Sequence, residues 1–537
     1  MTHHWWRTGI VYQIYPRSFM DSNGDGIGDL PGITSKLDYL QWLGVDALWL
    51  SPIYPSPMKD FGYDVADYVE VHPMFGTLAD FDHLLNEAHQ RGLKVLLDLV
   101  PNHTSDEHAW FKESRSSRDN PKRDWYLWRD AKPDGSPPNN WLSYFGGPAW
   151  TWDETTQQYY MHNFLSGQPD LNYRNPDVLA AMQANIRFWL ERGVDGFRVD
   201  VIDRMLKDET FRDNPMRAEY QPGIDNPMYS QERIYSENRP GVKDLIAEFR
   251  TVFDSFDDRV MIGEIAYSTD PEAITGFYVE NGRNLIHMPF NFAFLLLPWK
   301  AQAIRAFVDS YEAALPPEGQ PNHVMGNHDM PRLASRIGQD QARIAAMMML
   351  TLRGTPFIYQ GEELGMENGD ILPSQYQDPQ GINTGVSRDF ERTPFQWSNT
   401  PHAGFSTVEP WLPVAPNYHT VNVDSERDDP RSMLTLYHSL ISLRRQHPAL
   451  TIGAYQSVDS PAGTFVYWRT VTDDGGAARR MLIALNFTGD EQTVMLKGAE
   501  TSTGQLVLST RLDHTGQAVD LSKLHLRPHE GVVVEVA

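Results

Sequence analysis

The sequence predicts a (β/α)8 TIM barrel with a subdomain inserted after the third strand and a C-terminal all-β sandwich domain. Three observations point there. Eight short, apolar, β-branched runs recur before residue 361; helical patterns lie between several of them; and from about residue 452 the pattern changes to alternating strands separated by turn residues. The expected boundaries are 1–102 and 173–451 for the barrel, 103–172 for the insertion and 452–537 for the sandwich.

The strand runs are VYQIY near 11, ALWL near 47, KVLLDLV near 94, GFRV near 196, VMIGEI near 260, LIHM near 285, HVMG near 323 and TPFIYQ near 355. FDHLLNEAHQRG and LAAMQANIRFWLERG read as helices, each closing on a glycine suited to a C-cap. Residues 103–172 are rich in Trp, Tyr, Pro, Gly and Asn and show no helical period. A second irregular stretch, about 362–415, follows the eighth strand. Long loops after barrel strands build the active face, so both stretches are candidates for function. MLTLYHSLISLRRQHPAL is expected to close the barrel, and TFVYWRTV, RMLIALNF and GVVVEV to be strands of the sandwich.

Composition narrows the function classes. A chain of 537 residues with 41% hydrophobic and 22% charged residues is globular. A net charge of −25 repels phosphate backbones and anionic lipid surfaces, which argues against nucleic-acid and membrane partners and leaves a neutral ligand. The chain has no cysteine, so disulfides, thiolate metal sites and cysteine nucleophiles are excluded. MTHHWWRTGIVYQIYPRSF has no apolar run behind a basic start, and no segment has the uncharged length of a membrane span. The expectation is a cytoplasmic protein.

Four motifs fall at predicted C-terminal strand ends: DLVPNH (98–103), GFRVD (196–200), GEIA (263–266) and GNHD (326–329). These are the catalytic positions of such a barrel. Retaining cleavage of a glycosidic bond needs one carboxylate to attack the sugar carbon and a second, about 5 Å away, to protonate the leaving oxygen. Asp200 and Glu264, on neighbouring strands, are the candidate pair. Arg198 shares a strand face with Asp200 and is placed to hold that carboxylate ionised.

With these motifs the chain resembles, over essentially its whole length, the α-amylase superfamily of glycoside hydrolases. The similar branch contains oligo-1,6-glucosidase, dextran glucosidase and maltase-type α-glucosidases. The resemblance implies Asp200 as nucleophile, Glu264 as general acid and then base, and Asp329 as a third carboxylate that grips sugar hydroxyls. His103 and His328 would donate to those hydroxyls. In KDFGYDVADY, Asp60, Tyr63 and Asp64 would hold the terminal glucose. In SRDFERTPFQW, Arg392 is taken as the partner of Asp60, with Arg388 as rival. A pocket closed in this way implies exo action on a small oligosaccharide or disaccharide. Phe145, Phe164 and Gln168 resemble the wall around the cleaved bond, whereas Trp141, Trp150 and Trp152 read as packing. Val201, directly after the nucleophile, accompanies α-1,6 activity in similar enzymes; maltose, sucrose and trehalose stay open.

In DSNGDGIGD, Asp21, Asn23, Asp25 and Asp29 alternate, with Ile27 offering a carbonyl, and oxygen ligands so spaced suit a hard cation. Position twelve is Gly32 rather than Glu, unlike an EF-hand. Similar glucosidases bind Ca2+ or Mg2+ here, so a structural ion is expected, with no organic cofactor. The alternatives are a transglucosidase or sugar isomerase sharing the glucosyl intermediate, and, in another class, a non-catalytic carbohydrate-binding or transporter-associated relative.

Overall fold

A computed structural model describes residues 4–222, 227–472, 475–496 and 503–536. Eight parallel strands form one sheet: β1 Val11–Ile14, β2 Ala47–Leu50, β3 Lys94–Leu99, β4 Gly196–Val199, β5 Val260–Gly263, β6 Met288–Pro289, β7 Asn322–Val324 and β8 Thr355–Tyr359. Their spatial order is β6-β5-β4-β3-β2-β1-β8-β7. Between β6 and β7 the ring is closed by a side chain instead of a ladder. Asn322 Nδ2 donates to Pro289 O at 2.7 Å, and its Oδ1 accepts from the Asn291 N–H at 2.9 Å. The sixth strand is thus shorter and later than the LIHM run suggests: Leu285 and Ile286 donate to Tyr278 O and Phe277 O in an antiparallel turn before it begins.

Side chains alternate across each strand. On β3, Leu96 points into the barrel with Val11, Ala47, Trp49, Val260, Ile262 and Phe357, while Val95, Leu97 and Leu99 pack outward on the helices. Trp6 belongs to the inner cluster, from the helix that precedes β1. Gly196 is required where β4 meets β5, because a Cβ there would lie 2.2 Å from Val260 O. Helix Leu78–Gln90 begins at a Thr77/Asp80 capping box and buries Phe81, Leu84, Leu85 and Ala88, one stripe at helical spacing. Helix Pro176–Arg192 is capped by Asn175 and ends at Gly193, whose φ of 110° is left-handed. Met433–Gln446 starts at Ser432 and packs its apolar side into the main core.

Between β3 and β4 lies a three-stranded antiparallel sheet, Trp128–Arg129, Gln158–Met161 and Trp150–Asp153. It is preceded by a helix, Ala109–Ser116, capped by the His108 side chain, where the sequence showed no helical period. Eight residues with two buried positions are too few to display one. Trp141 and Trp150 pack with Leu127, Ala149 and Met161, consistent with their reading as core. After β8, Asp378 caps the short helix Pro379–Thr384.

Beyond residue 452, six antiparallel strands run in the order Ala454–Val458, Thr464–Thr472, Ala478–Asn486, Gly531–Val536, Thr503–Ser509, Ala518–Asp520. One face, with Val466, Leu482, Ala484 and Val534, covers the two-stranded sheet Gln492–Val494/Leu524–Leu526. The other, with Phe465, Tyr467, Ile483 and Val533, joins the barrel's core. Two guanidinium groups that pair with no carboxylate among the described residues stitch that junction. Arg444 donates to the carbonyls of Leu350, Leu352, Gly354 and Leu450, and Arg469 to those of Leu450, Thr451, Gly453 and Thr351.

Candidate active site

Backbone register builds the centre. Val199 pairs with Gly263, so Asp200 and Glu264, one residue further along β4 and β5, emerge side by side. Glu264 N–H donates to Val199 O at 2.8 Å and Asp200 N–H to Leu99 O at 2.8 Å, which fixes both carboxylates at the strand ends. Asp98 is in register with Arg198. The Arg198 guanidinium, 2% exposed, donates to Asp98 at 2.7 Å and Asp200 at 2.9 Å and touches Glu264. One cation therefore serves three acids. Burial pushes Asp200 up to about 6, against Arg198 and helped by Asp98. Asp98 is likewise pushed up to about 6 by burial. The expected contact of Arg198 with Asp200 is present, but desolvation outweighs its pull on the carboxylate.

Asp329, across the cavity, differs. Burial would raise it, yet the guanidinium groups of Arg388, Arg392 and Arg198 hold it far below the ordinary carboxylate range. Burial also keeps His328 neutral, lowering it to about 3. Its Nε2 meets Tyr63 OH at 2.7 Å and its Nδ1 meets Gln13 Nε2 at 2.8 Å, and its ring stacks on Tyr63. Tyr63 OH also donates to Asp98, tying the two halves of the site together. His103 is held neutral by burial, its Nε2 near Tyr63 O and Gln168 Nε2.

Three expected roles change. Asp60 pairs with Arg388 at 2.9 Å, not with Arg392. Arg388 is aimed by Asp378, at 2.7 Å, and also reaches Asp329 at 3.2 Å. Arg392 lies beneath the site, donating to His328 O at 2.7 Å and Asp329 at 2.8 Å under the Tyr15 ring. Asp64 does not reach the cavity: its oxygens accept from Ser56 OH and from the N–H groups of Lys59 and Asp60, which shapes the loop. Gln168 is fully buried and donates to Asp60 at 3.0 Å, so it positions a wall residue instead of forming the wall.

The cavity is bounded by Asp60, Tyr63, His103, Phe145, Phe164, Asp200, Val201, Arg204, Glu264, His328, Asp329 and Arg388. Val201 has φ 36° and ψ 47°, a left-handed conformation that a β-branched residue adopts only under strain, and it turns the chain sharply after Asp200. Sequence reasoning missed Arg204 and the supports Asp98, Gln13 and Asp378. DLVPNH placed Asp98 at a strand end, and its register with Arg198 was the available signal. Nothing marked Arg204.

The Asp21–Asp29 loop follows β1. Asp21 accepts from the N–H groups of Asn23, Gly24 and Gly26 and from Ser406 OH, Asn23 from Asp25 N–H, and Asp25 from Ile27 N–H. Asp29 caps the helix Leu30–Ser35. Among the described residues, no three His, Asp or Glu side chains converge in a metal-binding group.

Residues 13–453 match the family described as "Alpha amylase, catalytic domain". A probable alpha-glucosidase of Rhizobium meliloti is 44% identical, covering 95% of this chain and 94% of its own length. An oligo-1,6-glucosidase of Halalkalibacterium halodurans is 42% identical over 91% of each. Among solved structures, an alpha-glucosyl transfer enzyme has a TM-score of 0.92 at 42% identity over the whole of both chains. The trehalulose synthase of Pseudomonas mesoacidophila MX-45 has 0.88 at 35%, again over both whole chains. With the barrel, the paired strand-end carboxylates and these matches together, the chain is a member of the alpha-amylase family of glycoside hydrolases.

Proposed function

We propose that the protein is a retaining, exo-acting α-glucosidase that removes glucose from the non-reducing end of disaccharides and short oligosaccharides, with α-1,6 bonds preferred. The observation that carries this reading is the side-by-side emergence of Asp200 and Glu264 from β4 and β5, over a cavity walled at one side by the Asp60–Arg388 pair. Asp200 attacks the anomeric carbon as Glu264 gives its proton to the leaving oxygen, so the Asp200–C1 bond forms while the C1–O bond breaks. Water then attacks C1, its proton passing to Glu264, and Asp200 leaves. Because Glu264 touches Arg198, it must turn from that guanidinium towards the leaving oxygen to act as the acid. Asp329, held ionised, binds hydroxyls and favours positive charge developing on the ring.

Val201 supports the α-1,6 preference. The likeness to a glucosyl transfer enzyme and a trehalulose synthase supports transfer to sugars as a side activity. Asp21, Asn23, Asp25, Asp29 and the Ile27 carbonyl are all oxygen donors on one loop, which supports a structural Ca2+ or Mg2+ there by donor chemistry. Such an ion would have to draw the carboxylates together from the loop N–H groups they accept from in this structure. No helix among the described residues is long and apolar enough to cross a membrane. The absence of cysteine supports a cytoplasmic location.

The test is glucose release from isomaltose, maltose, sucrose and trehalose, with the product anomer followed by NMR. Initial α-glucose is expected, fastest from isomaltose; initial β-glucose, or none, overturns the reading.

A further inference from the structure

Arg204 stands on the turn Ile202–Arg204 that follows Asp200, and the first residue of that turn donates its N–H to Glu264 O at 2.9 Å. The side chain lines the cavity beside Glu264 and Val201 and is only 8% exposed. Its orientation is fixed from outside the barrel strands. Nε faces Glu237 Oε2 at 3.5 Å, and the guanidinium lies 4.5 Å from the centre of the Tyr144 ring. Tyr144 donates its hydroxyl to Glu237 and stacks on Phe164. Among the described residues, Nη1 and Nη2 of Arg204 donate to no protein group. An oriented, stacked guanidinium whose four Nη–H donors face no described protein acceptor at a cavity wall is suited to bind oxygen acceptors.

Its place says which acceptors. The Asp60–Arg388 pair occupies one wall, while the turn bearing Arg204 is bonded to Glu264, on whose side the leaving oxygen takes its proton. Resting on the α-glucosidase reading above, we propose that Arg204, clamped by Tyr144 and Glu237, is a specificity-determining residue that hydrogen-bonds the hydroxyls of the departing sugar. It thereby selects polyhydroxylated leaving groups. In the reverse sense it seats a sugar acceptor: the acceptor oxygen bonds to C1, its proton passes to Glu264, and the C1–Asp200 bond breaks.

The experiment compares wild type, Arg204→Ala and Arg204→Lys on isomaltose and on 4-nitrophenyl α-glucoside, whose leaving group has no sugar hydroxyls. A hydrogen bond from a charged donor is worth about ten- to a hundredfold. Arg204→Ala is expected to lose that factor in kcat/KM on isomaltose beyond whatever it loses on the nitrophenyl substrate, chiefly through KM. Lysine, which keeps the charge near Glu237 but not the planar fork, is expected to fall between and keeps the test open if the alanine variant does not fold. Equal losses on both substrates, or none on either, with an active wild type, overturn the role of Arg204 alone. A wild type inactive on both overturns the α-glucosidase reading and this proposal with it.

Discussion

Asp98 and Arg198 face one another across β3 and β4, their Cα atoms in register and their side chains joined at 2.7 Å inside the barrel. The pair gives the nucleophile a second negative neighbour as well as its cation, and that arrangement fixes the pH behaviour. Asp200 must be ionised to attack, and burial pushes it up to about 6, so kcat/KM is expected to fall as pH drops through about 6. Removing the charge of Asp98 with Asp98→Asn takes away a raising influence and should move this acid limb to lower pH in a pH–rate profile. Stability has the opposite sign. A carboxyl raised in the folded state contributes stability that is complete below its unfolded value and lost as pH rises through about 6, so Asp98 and Asp200 favour folding on the acid side of the activity range.

Arg388→Ala should leave Asp60 and Asp378 without their cation in a buried wall. Stranding one member of a buried ion pair costs about 3–5 kcal/mol. A fall in melting temperature is expected, together with a loss of kcat/KM of about a hundredfold or more. Asp60→Asn in the same background should recover part of it, read from a double-mutant cycle.

Glu264→Gln removes the proton donor while keeping the shape. A loss of at least about a hundredfold is expected on isomaltose, whose leaving alcohol is poor, and a much smaller one in the glucosylation step with a nitrophenyl leaving group. Near-normal turnover of isomaltose would reassign the acid.

Val201→Thr tests the linkage preference. A hydroxyl in the left-handed corner beside Asp200 is expected to shift the isomaltose-to-maltose ratio of kcat/KM towards maltose by about tenfold. An unchanged ratio would detach linkage preference from this position.

Chelation tests the loop after β1. If an ion bound only by the folded state braces it, removal lowers the melting temperature by mass action, and calcium restores it, with kcat unchanged below the transition.

The barrel strands were legible because each is a short apolar run buried on all sides, and the carboxylates because they end such runs. β6 was not, because its two residues include Pro289 and the closure is made by a side chain from β7, which no run of residues announces. The two arginines after β8 lie four residues apart, and which one meets Asp60 is decided by Asp378, ten residues before Arg388, a tertiary choice absent from local pattern. Asp64 and Gln168 were misplaced for a related reason: a polar residue near a site serves the loop's own N–H groups or a neighbouring carboxylate as readily as a ligand. Arg204 carried no signal because its stacking partner Tyr144 and its carboxylate Glu237 come from separate insertions.

Arg444 and Arg469 have a consequence for how the chain can be cut or recombined. Their donors satisfy last-turn carbonyls of helix Gln339–Thr351 and of Pro448–Thr451, at the negative ends of those helices. One clasp is anchored in the barrel and the other in the terminal sheet, so the final eighty-odd residues behave as a keystone rather than a pendant. A chain ended before Arg469 would take from the Thr351 and Thr451 carbonyls the donor that Arg469 supplies. A graft of this sheet from a relative would hold only if it brought an arginine to the same rung.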